Sequence, residues 1–417
     1  MKIRQLRTKY PKFFYKGYSY KLQGRDLHIS FDFSCPPDIR FHPKVIIKNI
    51  QKKNIGKDVL GNLVFHLGMM ELPSYWKATC SPTIVIEAGH LNTQQVTWWK
   101  YLILQGMGEF FYNNKIDFTS PKFLTIVSSS KKTHRVSGLK LGKRILVPVG
   151  GGKDSAVTLE LLKHMRTRSF VLNPKSSQLS IIKKSGGKAP ITILRTIDPK
   201  LLELNRKGFL NGHTPFSAYL AFLTALVSAL FEFRFVALSN EKSSNEGNMR
   251  YLGNVINHQY SKSFDFEQRF RKYSKRFLLR ELEYFSFLRP LSELQIAKIF
   301  SRFPKYFPLF LSCNKTKSRA WCGKCSKCLF VYVILSPFIA PKILERIFRK
   351  NLLKDRSLAP LMDQLTGKRG FKPFECVGTP QEVNAALSGK TGKLLRSWNT
   401  RNFIPPALAR ILKNSLR

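Results

Sequence analysis

Acidic side chains are scarce in this chain. Twenty-five Asp and Glu stand against 71 Lys and Arg, a formal charge of +46. Such a balance points to an anionic partner: nucleic acid, a membrane surface or a phosphate-bearing substrate. No block of five or six consecutive Lys or Arg occurs, and no Arg-Gly or Arg-Ser tract. A dedicated nucleic-acid-binding arm is therefore missing, and a chain basic along its whole length reads as readily as a general habit of composition. After Glu382 no acidic residue remains. Long apolar runs are also missing. The longest, residues 216–231, stops short of the roughly 20 residues that span a bilayer, and a strand-like FRFVALSN follows it. The N-terminus MKIRQLRTKYPKFFYKGYSY has no apolar h-region, so no secretory leader is expected. Cysteines number seven and four of them crowd together, which suits a metal or a reducing cytosol better than a disulfide framework. A soluble cytoplasmic protein with no transmembrane segment is expected. The hydrophobic share of 43% supports packed cores, and the length allows two or three domains.

Three regions are legible. Residues 1–140 mix strand-like runs (KVIIKNI, TIVIEAG, FLTIV) with a polar, aromatic-rich stretch. Residues 141–340 alternate β-rich runs at 144–149, 170–172, 191–197, 234–238 and 308–311 with helical patterns at 155–165, 216–231, 264–279 and 291–300. Alternation of this kind predicts an α/β fold with a parallel sheet and crossover helices. Residues 341–417 read as a basic helical region broken by Pro360, Gly367, Gly370, Pro373 and Pro405-Pro406. Residues 173–190, polar and rich in Gly and Lys, read as an exposed loop.

The sharpest local signal is RILVPVGGGKDSAVTLELLK, residues 144–163. A β-run ends at Val149, Gly150, Gly151 and Gly152 follow, and Lys153, Asp154 and Ser155 open a helix. Glycines let backbone N–H groups approach an anion, and a helix N-terminus adds free donors and a positive dipole end. Asp154 and Ser155 are each able to cap the helix, and Asp154 to face a phosphate-bound magnesium ion. No Gly-Lys-Ser/Thr triplet closes the loop and no G-x-G-x-x-G occurs, so it is neither a Walker A loop nor a dinucleotide fingerprint. It resembles the Ser-Gly-Gly-x-Asp-Ser loop of the PP-loop ATP pyrophosphatases, with Gly150 in place of the first serine. That resemblance implies an adenine nucleotide alpha-hydrolase-like core that cleaves ATP to AMP and pyrophosphate. The polar run 239–246 follows a strand, where open α/β sheets bind ligands, so Glu241 and Glu246 are candidates to reach magnesium or substrate.

Cys322, Cys325 and Cys328 are spaced C-x2-C-x2-C, with Cys313 close upstream. Four thiolates suit a structural zinc ion; buried free thiols or a redox centre remain open. The same arrangement is similar to the zinc loop of 7-cyano-7-deazaguanine synthases, also PP-loop enzymes. A PP-loop ligase or tRNA-modifying enzyme of that or the thiouridylase type is therefore the alternative reading.

Four stretches resemble the bacterial UDP-N-acetyl-muramoyl-L-alanyl-L-glutamate epimerase family (MurL). They are FHLGMMELPSYWKATCSPTIVIEAG (65–89), LVPVGGGKDSAVTLELL (146–162), the segment 211–248 from NGHTPF to NEGN, and KPFECVGTPQEVNAAL (372–387). The resemblance implies an ATP- and magnesium-dependent isomerase of peptidoglycan precursor synthesis. Its substrate would be UDP-MurNAc-L-Ala-L-Glu, and nucleic acid is not expected as a partner. Adenylation of the glutamate carboxylate would acidify its α-carbon. Asp154 and Glu241 are the candidates on the nucleotide side, while Cys376 and Cys80 head the candidates to move the proton, followed by Glu375, His66 and His213. The two thiols are attractive by analogy with cofactor-free racemases, although an isolated cysteine is equally at home as a small buried hydrophobe.

Overall fold

The computed structural model describes residues 3–50, 55–136, 138–316 and 320–417. Its centre is one 11-stranded sheet. The strands in chain order are β1 (Lys12–Gln23), β2 (Asp26–Cys35), β3 (Ile39–Phe41), β4 (Lys44–Ile47), β5 (Thr83–Ile86), β6 (Thr125–Ser128), β7 (Ile145–Pro148), β8 (Thr167–Leu172), β9 (Ile191–Thr196) and β10 (Phe235–Leu238). A separate hairpin, β11 (Met249–Tyr251) and β12 (Asn254–Ile256), precedes the last sheet strand, β13 (Glu283–Ser286).

The spatial order is β13-β10-β7-β8-β9-β4-β2-β1-β5-β6, with β3 on β2. From β13 to β9 every pairing is parallel, as it is from β1 through β5 to β6. The antiparallel set β9, β4, β2 and β1 joins the two blocks, so one sheet runs from the first residues into the glycine-loop half. Buried strands in a parallel block read as short apolar runs, as ILVP and FVAL do. In β2 the side chains of Leu27, Ile29, Phe31, Phe33 and Cys35 alternate inward with period two.

Four of the five expected middle strands form, at β7 to β10. The segment 308–311 does not. Proline at 304 and 308 turns the chain there, and Leu311 N–H donates to the Gly151 carbonyl (2.8 Å), so the run braces the glycine loop instead. The fifth parallel strand is β13. The segment 173–190 is also not a plain loop: it contains the helix Ser176–Lys184, which buries Ile181 and Ile182. Gln178 bonds back to Lys175 N–H and donates to the Val149 carbonyl (2.9 Å).

The apolar run folds as the helix Phe216–Phe231, nearly all of it buried, and it packs on the helix Lys57–Glu71. Among the described residues no helix is long and apolar enough to cross a membrane. Glu71, fully buried on that second helix, receives a forked pair from Arg195 on β9 (2.7–3.0 Å), and the guanidinium lies over Tyr219. Arg195→Met leaves that carboxylate without a counter-charge. We expect it to cost about 3–5 kcal/mol of stability, read as a lowered urea midpoint.

Candidate active site

The three glycines leave β7 and turn into the helix Lys153–Leu161. Gly151 sits at φ +88, and a Cβ there would come within 3.1 Å of Ser177 Oγ and 3.2 Å of Gln178 Cγ. Glycine is thus required by both backbone and space. The helix cap is Gly152, and no side chain bonds to the first turn. The expected capping by Asp154 or Ser155 does not occur, because Ser155 Oγ turns back and accepts from Gly150 N–H (3.0 Å). The effect is to pin the loop shut while leaving the helix N-terminus free for an external anion.

A cavity of about 390 Å³ opens at this point, beyond the C-terminal ends of β7, β8 and β10. Gly150, Gly152, Asp154 and Ser155 form one wall, and Phe170, Leu172 and Phe216 supply apolar surface. Lys262, Lys327 and Cys376 complete it from distant parts of the chain.

Lys153 points away from the cavity. It is buried against Asp154 (2.5 Å) and Glu293. Burial works against its ammonium, but the two carboxylates outweigh it and hold the pKa above the ordinary lysine value. The Asp154 carboxylate keeps 27% of its surface exposed. Glu241 is buried, and the fully buried Arg289 donates to its carbonyl (2.8 Å) and also to the Lys262 carbonyl. Arg289 therefore fixes the backbone at both residues. Glu246 has its carboxyl pushed up by burial, with Lys372 opposing.

Cys376 is half-buried in the cavity wall. Lys262 Nζ lies 3.0 Å from its Sγ, and Lys327 Nζ donates to its backbone carbonyl. Burial alone would push the thiol up. The Lys262 ammonium, a hydrogen bond from His258 and the Lys327 charge overcome it and hold the pKa to about 6. Lys262 is raised in turn, since Cys376 and Glu241 outweigh its desolvation. The surrounding cations favour the thiolate form.

The other candidates lie elsewhere. Cys80 is buried at φ +50 beside Arg7, whose guanidinium donates to its carbonyl (2.7 Å); burial pushes its thiol up to about 12 despite that charge. His66 is buried between the Asn62 carbonyl and Tyr273 hydroxyl, both at 2.9 Å, and burial pushes it down to about 3. His213 lies 3.7 Å from Glu109 and 4.4 Å, ring to ring, from His258. Glu375 accepts a hydrogen bond from Asn314 (3.3 Å). Lys262, Lys327, His258 and Glu109 escaped the sequence reading. Lys262, His258 and Glu109 lie outside any motif and Lys327 sits between two cysteines of the thiol cluster, and only the tertiary fold gathers them around Cys376.

Cys313, Cys322, Cys325 and Cys328 place their sulfurs within 4.8 Å of one another, with contacts of 3.9, 3.6 and 3.4 Å. A zinc tetrahedron with bonds of about 2.3 Å has sulfur–sulfur edges of about 3.8 Å, so the set fits. Helix Ser326–Leu335 begins within the cluster and carries Lys327 into the cavity.

Comparison with known proteins identifies the family. The family model for the MurL N-terminal domain matches residues 4–287, and that for the MurL C-terminal domain matches residues 309–414. A UDP-N-acetyl-alpha-D-muramoyl-L-alanyl-L-glutamate epimerase of Xanthomonas oryzae pv. oryzae (strain MAFF 311018) is 35% identical over 323 residues, covering 76% of this chain and 71% of that protein. Proteins of the same name from Salinispora tropica (34% over 339 residues; 79% of this chain, 73% of that protein) and a Micromonospora strain (33% over 338; 79% and 74%) are also similar. No solved structure matches. With both of its family domains present and a third of its residues shared with named epimerases over most of its length, the chain belongs to the MurL family of epimerases.

Proposed function

We propose that this enzyme epimerises the terminal L-glutamate of UDP-MurNAc-L-Ala-L-Glu in the cytoplasm by adenylating its carboxylate with ATP. The observation that carries this reading is the Cys376 sulfur, 3.0 Å from Lys262, in the same cavity as an uncapped glycine loop. The loop and the helix N-terminus hold the pyrophosphate portion of ATP, and the apolar wall of Phe170, Leu172 and Phe216 takes the adenine. Asp154 offers its exposed carboxylate oxygen to a magnesium ion, whose charge would offset that of the leaving pyrophosphate.

A glutamate α-proton is barely acidic while the adjacent carboxylate is charged. Attack by a carboxylate oxygen on the α-phosphorus breaks the Pα–O–Pβ bond, expels pyrophosphate and leaves an ester-like acyl-adenylate. The Cys376 thiolate then takes the α-proton, and the electron pair moves onto the acyl oxygen. Protonation on the opposite face restores the carbon with inverted configuration. Water attacks the acyl carbon and releases AMP and the D-glutamyl product.

The test is incubation with ATP, magnesium and the L-glutamyl substrate in deuterium oxide. Equal amounts of AMP and α-deuterated D-glutamyl product are expected, and the absence of both refutes the proposal. The exchange rate should also follow the charge on Cys376, which faces Lys262, His258 and Lys327. The thiolate is the active form, so exchange is expected to rise with pH through about 6 and to level off above it. A rate independent of pH between 5 and 8 would exclude this base.

The thiol cluster is assigned to structural zinc. One zinc per chain is expected by elemental analysis, and Cys325→Ser should lose it together with thermal stability. An unchanged metal content and melting point would contradict the assignment.

A further inference from the structure

Cys376 does not stand alone with its lysine. Three remote segments meet at it: the helix Gly108–Asn113 brings Glu109, the chain after β12 brings His258, and the C-terminal region brings the cysteine. Glu109 Oε2 bonds to His258 Nδ1, which leaves Nε2 as the ring's other donor. Both side chains are largely buried, at 13% and 16% exposure. The histidine is tied to the cysteine's segment by the buried Asn248. It accepts from His258 N–H (2.8 Å) and donates to the Pro373 carbonyl (2.8 Å), three residues before the cysteine. His213 packs on the far side, 3.7 Å from Glu109.

We propose that Glu109 and His258 form a positioning pair in which the carboxylate anchors the ring through Nδ1–H and aims it at Cys376, so that the sulfur rests as a thiolate–imidazolium pair. Carboxylate–imidazole–nucleophile order is the general device for orienting a base and stabilising its charge. The electrostatics agree. Burial would lower His258, yet Cys376 and Glu109 raise it to about 9, while burial and the His258 charge push neighbouring His213 down to about 4. Neither Glu109 nor His258 lines the cavity, so both act through the cysteine. When the thiolate takes the α-proton, a C–H bond breaks, an S–H bond forms and the electron pair stays with the substrate. The imidazolium keeps its proton and needs no further reactant. This role deepens the thiolate-base reading of Cys376 and rests on it.

The test follows alkylation of Cys376 by iodoacetamide against pH in the full chain, with the modified peptide quantified by mass spectrometry. In the parent protein the rate should rise through about pH 6. In His258→Gln the midpoint should move up by at least one pH unit. The acid limb of α-deuterium exchange should move with it, and AMP formation should stay within about twofold. Glu109→Gln should give a smaller shift in the same direction, and it carries the same test if the first variant does not fold. Unchanged midpoints in both variants overturn the pairing. So does a stoichiometric metal that is lost from the parent protein on either substitution, because Glu109, His213 and His258 would then be ligands. The alkylation midpoint does not depend on turnover. If Cys376→Ala retains exchange, the base assignment fails while the midpoint still decides the pairing.

Discussion

Cys376→Ala is expected to keep forming AMP and pyrophosphate while losing α-deuterium exchange by at least about 1,000-fold, within the range that a positioned general base supplies. The separation follows from geometry. The glycine loop, Asp154 and the helix N-terminus belong to β7 and the helix after it, whereas Cys376 enters from the C-terminal region and has Lys262 as its side-chain partner. Removing the sulfur leaves the Lys262 ammonium without its counter-charge, but Glu241 and Asp154 still face it. The cavity therefore persists, and adenylation, which precedes proton removal, continues. Futile release of AMP with retained L-configuration is the signature to look for. Cys80→Ala should leave exchange within about twofold, since burial keeps that thiol protonated beside Arg7. The measurement is proton NMR of the glutamyl α-position in deuterium oxide beside an AMP assay.

Asp154→Asn is expected to lower AMP formation and α-proton exchange together, by about 100- to 1,000-fold, the cost of removing one preorganised charge from a developing anion. Both fall because exchange requires the acyl-adenylate. The substitution keeps the side chain's shape, and Lys153 retains Glu293, so the loop stays folded. Adding free adenylated substrate analogue should restore exchange in this variant but not in Cys376→Ala. Loss of exchange without loss of AMP on Asp154→Asn would place the carboxylate on the wrong half of the reaction.

Legibility in the sequence followed distance along the chain. The glycine loop is contiguous, and each of its properties (three glycines, the strand before, the helix after) is local, so the strand–turn–helix around residues 150–155 is legible by reading alone. The helix Phe216–Phe231 was found for the same reason. The strand β13 was missed because EYFS is four residues long and begins with a charge, and only its parallel pairing with β10 identifies it. The long hairpin β1–β2 is not among the strand-like runs legible in residues 1–140. Its alternation is clear only once one face is known to be covered. At the site, Cys376 stood out as an isolated thiol, but nothing distinguished it from Cys80 until the environments were known: a lysine, a histidine and a cavity for one, a packed core for the other. Glu109 and His258 are 149 residues apart, and no local pattern marks either.

Adenylation itself is tested most directly by following oxygen. The L-glutamyl substrate is prepared with 18O in the reacting carboxylate and turned over with unlabelled ATP in unlabelled water. One 18O per AMP phosphate is expected, since the attacking carboxylate oxygen stays on phosphorus when water cleaves the acyl bond. AMP free of 18O during epimerisation would contradict an acyl-adenylate.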